Sequence, residues 1–432
     1  MTVYFHTLGC KVNQYETQAM RRLLEDEGYT TAEFNAGFSA AEDGVLVINS
    51  CTVTGESDRK LRQLLRRCRR DNPQAVIVLC GCMPQAFPDR AALLTDADIV
   101  LGNAERRTLP AKLRTFLATR ERLVDIPPHS ADYEPLSICE FQGRTRAFVK
   151  IEDGCNRFCS YCAIPYARGR VRSRSLDDLK TEVEALAAAG YREVVLTGIN
   201  LTAFGQSTDI TLADAVDITA AVEGICRVRL GSLEPDHMTP ALLDRLAAQP
   251  KLCPQFHLSL QSGCDATLRR MRRHYTTAEY AVLCADLRQR FPHCAITTDI
   301  MVGFPGETDA EFAESLHFAE EIAFARAHIF MYSRREGTPA ATMAGQVSAA
   351  EKAARAHRLG ATCEATRTRF EEALIGSEVS ILLETCDADG YWEGHTASYV
   401  PVRVKVAAAS GDLVTVRITA RDENTCFATP VK

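Results

Sequence analysis

The chain has 432 residues, 46% of them hydrophobic and 25% charged, with a net charge of −6 at pH 7. This composition excludes a disordered or fibrous protein and leaves room for two or three separately cored domains. No run approaches the roughly 18 apolar residues of a membrane span and the N-terminus lacks a secretory layout, so a cytoplasmic protein with no membrane partner is expected. Seventeen cysteines in a compartment that keeps thiols reduced favour metal ligation or thiol chemistry over disulfides, with some serving as small buried apolar groups.

Through residue 123 the short apolar runs VYFHTLG, VLVINSC, AVIVLCGC and DIVLG alternate with amphipathic stretches. That rhythm predicts a parallel sheet with crossover helices. In RKLRQLLRRCRR (Arg59 to Arg70), Leu61, Leu64, Leu65 and Cys68 fall at i, i+3, i+4 and i+7, so the stripe faces a core and the arginines face out. Over 124–140 the periodicity lapses around Pro127 and Pro128, which predicts a linker. A second α/β series follows over 141–372, with strands expected in RAFVKIEDG, EVVLTGIN, CRVRLGSL, QFHLSLQSG, AITTDIMVG and HIFMYSRR. Six such units suggest a partial (β/α)6 barrel rather than a closed eight-stranded one. A helix rich in Ala, Arg and Glu starts with Ser348 and Glu351 in capping-box spacing and stops near Gly376. Over 373–432 the runs SEVSILLET, HTASYVPVRVKV and DLVTVRITA alternate polar and β-branched residues between turns at Asp389-Gly390 and Gly411-Asp412, the pattern of a small antiparallel β-barrel.

Cys155, Cys159 and Cys162 stand in GCNRFCSYC, directly after the first strand of the barrel series. Three thiolates this close make a soft site suited to iron–sulfur or zinc. Zinc asks for a fourth ligand, and no Cys or His follows within twenty residues. A ferredoxin-type carrier asks for four cysteines per cluster. Three ligands leave one iron of a four-iron cluster open to substrate, so the site reads as catalytic. The later strands run into TGIN, GSLEP, LQSG and GFPGET, all at one barrel face. There Gly198, Asn200, Glu234, Gln261 and Ser262 are candidates to meet ribose, amino or carboxylate groups, against a plain reading as turn chemistry. Cys10, Cys51 and Cys82 each follow a strand of the N-terminal sheet. Parallel strands end on one edge, so these thiols can converge on a second cluster; three buried structural cysteines is the equal alternative. Cys80 competes with Cys82, but alternation keeps Cys80 within the strand and leaves Cys82 in the loop beyond Gly81.

Cys155, Cys159 and Cys162, with Tyr161 before the last, resemble the radical S-adenosylmethionine (SAM) signature. TLGCKVNQYET, INSCTVT, GCMPQ, DGCNRFCSYC, LSLQSGCDATLRRMRR, GFPGET and YSRREGTPA, in this order, resemble the methylthiotransferase family of radical SAM enzymes. TLGCKVNQYE and GHTASYVPVRV are similar to the branch acting on N6-threonylcarbamoyladenosine at position 37 of tRNA. The resemblance implies an N-terminal methylthiotransferase domain (1–123), a linker (124–140), a radical SAM barrel (141–372) and a TRAM barrel (373–432). It implies two 4Fe–4S clusters, one on Cys155, Cys159 and Cys162 with SAM at its open iron, the other on Cys10, Cys51 and Cys82, while Cys80 takes no role. It further implies transfer of a methylthio group to C2 of adenine, with one SAM methylating sulfur at the second cluster and another yielding a 5′-deoxyadenosyl radical. An anticodon loop is then the partner, with a flavodoxin or ferredoxin as reductant.

C2 of adenine carries no acidic proton, so cofactor-borne radical chemistry suits it better than acid–base catalysis. With tRNA as partner, the Arg59 to Arg70 patch and the eight Lys/Arg between Arg144 and Arg174 become phosphate-contact candidates, against solvated faces. From Ala373 onward five Lys/Arg face eight Asp/Glu, so strong independent RNA affinity of the last domain is not expected. It would read the loop through Arg403, Lys405, Tyr391, Trp392 and Tyr399, all of which also suit barrel packing. Rival substrates are isopentenyladenosine-37 of tRNA and a ribosomal-protein aspartate; a rival of another class is a non-enzymatic iron–sulfur or RNA-binding scaffold.

Overall fold

The computed structural model describes residues 1–34, 44–52, 54–141 and 143–431. Val53 of the INSCTVT motif and Lys432 of the C-terminal charge count lie outside the described residues. The chain forms two compact units, one of residues 1–140, 152–174 and 333–341, the other of residues 141–151, 175–332 and 342–432.

The first unit is built on a parallel sheet of β1 (Thr2–Thr7), β2 (Thr30–Glu33), β3 (Val45–Ser50), β4 (Val76–Gly81), β5 (Ile99–Leu101) and β6 (Leu123–Asp125), in the order β2-β1-β3-β4-β5-β6. Every residue of β3 and β4 is buried, because helices cover both faces and each strand alternates between two cores. Val45, Val47, Val76 and Val78 pack with Met20, Leu24, Leu113 and Phe116 on one side. Leu46, Ile48, Ile77 and Leu79 pack with Leu61, Leu65 and Cys68 on the other. The predicted stripe of the arginine-rich helix, Gly55–Asp71, is therefore core. Its Thr54 hydroxyl caps the Ser57 N–H, and acidic residues in the first turn with arginines in the last suit the helix dipole. Two strands of this sheet escaped the sequence reading: β2, and β6, which takes the first two residues of the expected linker. The rest of 126–140 is irregular, as expected.

β7 (Ala147–Lys150) belongs to the second unit, after which an antiparallel ribbon of β8 (Glu152–Asp153) and β9 (Arg172–Ser173) belongs to the first. The second unit continues with β10 (Glu193–Thr197), β11 (Arg227–Leu230), β12 (Ser232–Leu233), β13 (Gln255–Leu258), β14 (Ala295–Val302) and β15 (Arg326–Met331). They pair in parallel as β7-β10-β11 and β12-β13-β14-β15. The six expected barrel strands are all present, the third broken at Gly231 into β11 and β12. The helix Ala349–Glu372 starts at Ser348, whose hydroxyl accepts the Glu351 N–H at 3.1 Å. The capping box is only half formed, because the Glu351 carboxylate pairs with Arg355 instead.

The chain ends in a closed barrel of β16 (Glu378–Cys386), β17 (Tyr391–Thr396), β18 (Pro401–Lys405), β19 (Leu413–Arg421) and β20 (Cys426–Pro430), in the order β16-β17-β18-β20-β19. Ile381, Leu383, Val402, Val404, Val416, Ile418 and Cys426 fill it, with Trp392 half-buried against them. Neighbouring strands are antiparallel except where β18 meets β20, a parallel pairing that completes the ring. The run HTASYVPVRVKV, read as one strand, is two: Tyr399 at φ 67 turns the chain between β17 and β18.

Glu193, buried at the start of β10, gathers Arg229 at 2.9 Å, Arg227 at 3.4 Å and Arg146 at 3.9 Å. Burial alone would push its carboxyl up; Arg229, Arg146 and Arg227 more than offset this and hold its pKa at about 2. The same arginines grip the terminal barrel. Arg227 donates to the Ser380 carbonyl at 2.5 Å and Arg229 to the Ala397 carbonyl at 2.8 Å, while Arg146 pairs with Glu384. The Tyr399 ring lies 4.9 Å from both Arg146 and Arg229 and stacks on His395. Tyr399, one of the expected RNA-reading groups, packs on these side chains yet stays partly exposed. Tyr391 carries Arg403 and Lys405 over its ring on the β17–β18 pair.

Candidate functional site

In the N-terminal sheet the strand order turns back at β1 and β3, the place where open parallel sheets leave a crevice beyond the strand ends. Cys10 follows β1, Cys51 follows β3 and Cys82 follows β4 there. Gly9, at φ +135, lets the chain pass so close that an added Cβ would meet Asn13 at 3.0 Å and the Cys51 Cβ at 3.1 Å. Cys10 starts the helix Lys11–Glu25, and its thiol donates to Asn13 Oδ1 at 3.3 Å. Asn13 in turn donates to Asn49 Oδ1 and to the Ser50 carbonyl, each at 3.2 Å, fixing this helix start to the end of β3. Gly81 sits at φ +105, where an added Cβ would stand 2.5 Å from the Ser50 carbonyl. Cys82 is not in a loop, as expected, but is the first residue of the short helix Cys82–Ala86. Cys80 packs in the core against Met20, and burial pushes its thiol up to about 12.

Cys82 Sγ is buried between two donors: Arg168 Nε at 3.1 Å and Asn103 Nδ2 at 3.6 Å. Arg168 is fully buried, grips Glu16 with both terminal nitrogens and reaches Asn13 Oδ1 at 3.3 Å. Arg106 meets the same buried carboxylate at 3.0 Å from Glu16 Oε2. Sequence reasoning missed these groups. Arg168 was legible only as one charge in a basic stretch, and Glu16 only as one residue of the TLGCKVNQYET motif.

Arg168 belongs to the segment that carries the other three cysteines. Gly154, at φ +93, passes so near Arg170 that an added Cβ would lie 1.9 Å from its carbonyl oxygen. The Cys155 N–H bonds the Gly169 carbonyl at 3.0 Å, closing the loop base. Phe158 takes a left-handed φ of 50, and Arg170 lies over its ring. Cys162 Sγ accepts the Ile164 N–H at 3.4 Å as the helix Ile164–Arg168 begins. Cys159 is buried, and Cys155, Tyr161 and Cys162 are partly exposed. Both sets of three cysteines therefore lie in the first unit. Among the described residues, no group of three or more His, Cys, Asp or Glu side chains is placed to hold a single metal ion. One sulfur of each set, Cys82 Sγ and Cys162 Sγ, accepts N–H bonds, the environment that suits a metal-bound thiolate.

The remaining candidates lie in the second unit. Gly198 follows β10; Asn200 is buried, its Oδ1 accepting the Thr202 hydroxyl at 3.1 Å. Glu234 pairs with Arg273. Gln261, at φ 67, joins β14 by its backbone, donating to the Asp299 carbonyl and accepting from the Met301 N–H, each at 2.8 Å. Ser262 is buried, its hydroxyl 3.2 Å from Ser315 Oγ.

The basic stretches separate. In the helix Gly55–Asp71, Arg66 and Arg67 are exposed, while Arg59 pairs with Glu56 and Arg69 with Asp98. Between Arg144 and Arg174, five of the eight basic residues (Arg146, Lys150, Arg168, Arg172 and Arg174) are buried. That second stretch is thus mostly internal wiring rather than the phosphate-binding surface its charge count suggested.

Residues 149–319 match the radical SAM superfamily, and residues 2–102 match an uncharacterized protein family, UPF0004. The chain is 37% identical over 426 residues to the threonylcarbamoyladenosine tRNA methylthiotransferase MtaB of Bacillus subtilis, covering 96% of this chain and 93% of the relative. It is 37% identical over 424 residues to MtaB of Thermotoga maritima, covering 98% and 95%. The tRNA-2-methylthio-N(6)-dimethylallyladenosine synthase of Pelotomaculum thermopropionicum is 35% identical over 386 residues, covering 87% and 85%. Among solved structures, the radical S-adenosylmethionine methyltransferase TsrM of Kitasatospora setae shares the fold, with a TM-score of 0.57 at 16% identity over 79% of this chain and 75% of that one. With two strand-end cysteine sets in place and this similarity running through all its parts, the chain belongs to the tRNA methylthiotransferase family of radical SAM enzymes.

Proposed function

We propose that this chain transfers a methylthio group to C2 of N6-threonylcarbamoyladenosine at position 37 of tRNA. The observation that carries the reading is similarity at 37% identity to two threonylcarbamoyladenosine enzymes over 96% and 98% of the chain, against 35% over 87% and 30% over 96% for two dimethylallyladenosine relatives. Cys155, Cys159 and Cys162 would hold the cluster that binds SAM, with Tyr161, Gly198, Asn200, Glu234, Gln261 and Ser262 as SAM-facing candidates. Cys10, Cys51 and Cys82 would hold the second cluster. Bound there, the two 4Fe–4S clusters and SAM supply radical activation of an inert C–H bond and the methylthio group, which side chains alone do not.

The chain's own contribution is placement. Gly9 and Gly81 bring three strand ends together, and Asn13 pins the helix that Cys10 begins. The Cys82 sulfur is buried between the Arg168 and Asn103 donors. Arg66 and Arg67 offer exposed charge for tRNA phosphates, and an anticodon-loop base is free to leave its stack. The reading places the protein in the cytoplasm with a flavodoxin or ferredoxin as electron donor, and divides it into modules at 1–123, 141–372 and 373–432 with 124–140 as linker.

The test is anaerobic reconstitution with SAM, reductant and tRNA carrying either threonylcarbamoyl- or isopentenyladenosine at position 37, followed by mass spectrometry of the nucleosides. A methylthio product on the threonylcarbamoyl substrate is expected. Product on the isopentenyl substrate alone overturns the proposal, and absence of SAM cleavage under reduction returns the chain to a scaffold.

A further inference from the structure

Arg168 is the last residue of the helix that starts two residues after Cys162, yet its side chain ends on Cys82, 86 positions earlier in the chain. It is fully buried and spends every nitrogen: Nε on Cys82 Sγ at 3.1 Å, one terminal nitrogen on Glu16, the other on Glu16 Oε2 at 3.0 Å and Asn13 Oδ1 at 3.3 Å. Burying a guanidinium is strongly unfavourable unless it is paired and hydrogen-bonded throughout. Glu16 supplies the counter-charge and is itself shared with Arg106. Gly169, at φ +71, turns the chain directly beyond; an added Cβ there would press on Arg172 and His129 at 3.0 Å. A purely structural Arg168–Glu16 pair needs only the carboxylate. The Nε–H aimed at sulfur is surplus to that role, and an anionic sulfur bound to iron is the acceptor it suits.

We propose that Arg168 is the positioning residue of the second cluster, holding Cys82 as a hydrogen-bonded anionic ligand and tying the peptide of Cys155, Cys159 and Cys162 to that site. This rests on Cys82 being a ligand, as in the proposed function. An N–H donated to a ligand sulfur stabilises the more negative, reduced cluster, so its loss shifts the midpoint potential downward. Loss of such a donor also weakens metal retention, typically about 10- to 100-fold.

The measurement uses the full chain with Cys155→Ala, Cys159→Ala and Cys162→Ala together, leaving one cluster to observe after anaerobic reconstitution. In that background Arg168→Gln is expected to lower the midpoint potential in an EPR-monitored titration and to release iron to a chelator about 10- to 100-fold faster. Arg168→Lys, which keeps the charge but reaches fewer partners, should fall between. Unchanged potential and iron release in Arg168→Gln overturn the inference. Should that variant fail to fold, the otherwise intact background labelled with ¹⁵N in its arginine guanidinium groups decides: pulsed EPR of the reduced cluster should show a ¹⁵N coupling, and its absence overturns the inference equally. Cys82→Ala in the same background separates the two levels. A cluster of unaltered spectrum there removes the ligand assignment itself; cluster loss there, with no effect at Arg168, removes only the role given to Arg168.

Discussion

Replacing Glu193 by Gln leaves Arg146, Arg227 and Arg229 around an amide that carries no charge. A carboxyl whose pKa falls from 4.5 to about 2 on folding contributes about 3 kcal/mol at neutral pH, to order of magnitude. Removing one partner from a buried charge cluster costs about 3–5 kcal/mol, in the same range. The effect falls on the terminal barrel, because Arg227 and Arg229 hold its Ser380 and Ala397 carbonyls. Trp392, the single tryptophan of the sequence, lies in β17 and reports on that barrel. Urea unfolding followed by its fluorescence should show a markedly lower midpoint for Glu193→Gln at pH 7. Because the folded pKa is depressed, the wild-type advantage is complete above about pH 5, declines as the unfolded carboxyl takes up its proton near 4.5, and is lost as pH falls through about 2. Equal midpoints at pH 7, or an advantage that grows on acidification between pH 5 and 4, refute the assignment of Glu193 as the anion that organises the three arginines.

Gly81→Ala forces a side chain onto φ 105, ψ −155 and into the Ser50 carbonyl; the backbone strain alone is about 1–3 kcal/mol, and reconstituted protein should lose roughly half its iron while keeping SAM cleavage. Cys159→Ala should abolish release of 5′-deoxyadenosine yet retain the second cluster, and Cys51→Ala should do the converse, releasing 5′-deoxyadenosine but forming no methylthio nucleoside; normal product from either variant contradicts the ligand sets. Arg66→Ala with Arg67→Ala should weaken tRNA binding and flatten the slope of log affinity against log salt by about 0.7–0.9 for each phosphate left without its arginine; an unchanged slope shows that this face of the helix does not meet the backbone.

Patterns local in the chain were legible in advance. The i, i+3, i+4, i+7 stripe of Leu61, Leu64, Leu65 and Cys68, the apolar runs of β1, β3, β4 and β5, and the six barrel strands follow from side-chain periodicity, which the backbone imposes directly. Short edge strands such as β2 and β6 carry little apolar signal, because one flank needs no partner, and the break at Gly231 is a single residue. Charge was the poorest guide. Arg146, Arg168 and Arg172 look like surface cations when counted along the chain, but their carboxylate partners Glu193, Glu16 and Asp153 include residues far off in sequence, and pairing across such distances leaves no periodic trace. For the site, the order of cysteines after strands was readable, whereas the donors around Cys82 were not, since each comes from a different element.

The two cysteine sets make unequal demands on biosynthesis. Cys155, Cys159 and Cys162 share one short loop whose spacing is set by neighbouring residues, whereas Cys10, Cys51 and Cys82 hang on three separate strands and meet only once β1, β3 and β4 have docked. A nascent or partly melted chain therefore presents the second set as scattered single thiols open to oxidation. With the second cluster on these thiols, as proposed, its maturation has to wait for tertiary structure, and a lesion in the sheet, however remote from the thiols, would surface first as a failure of iron delivery.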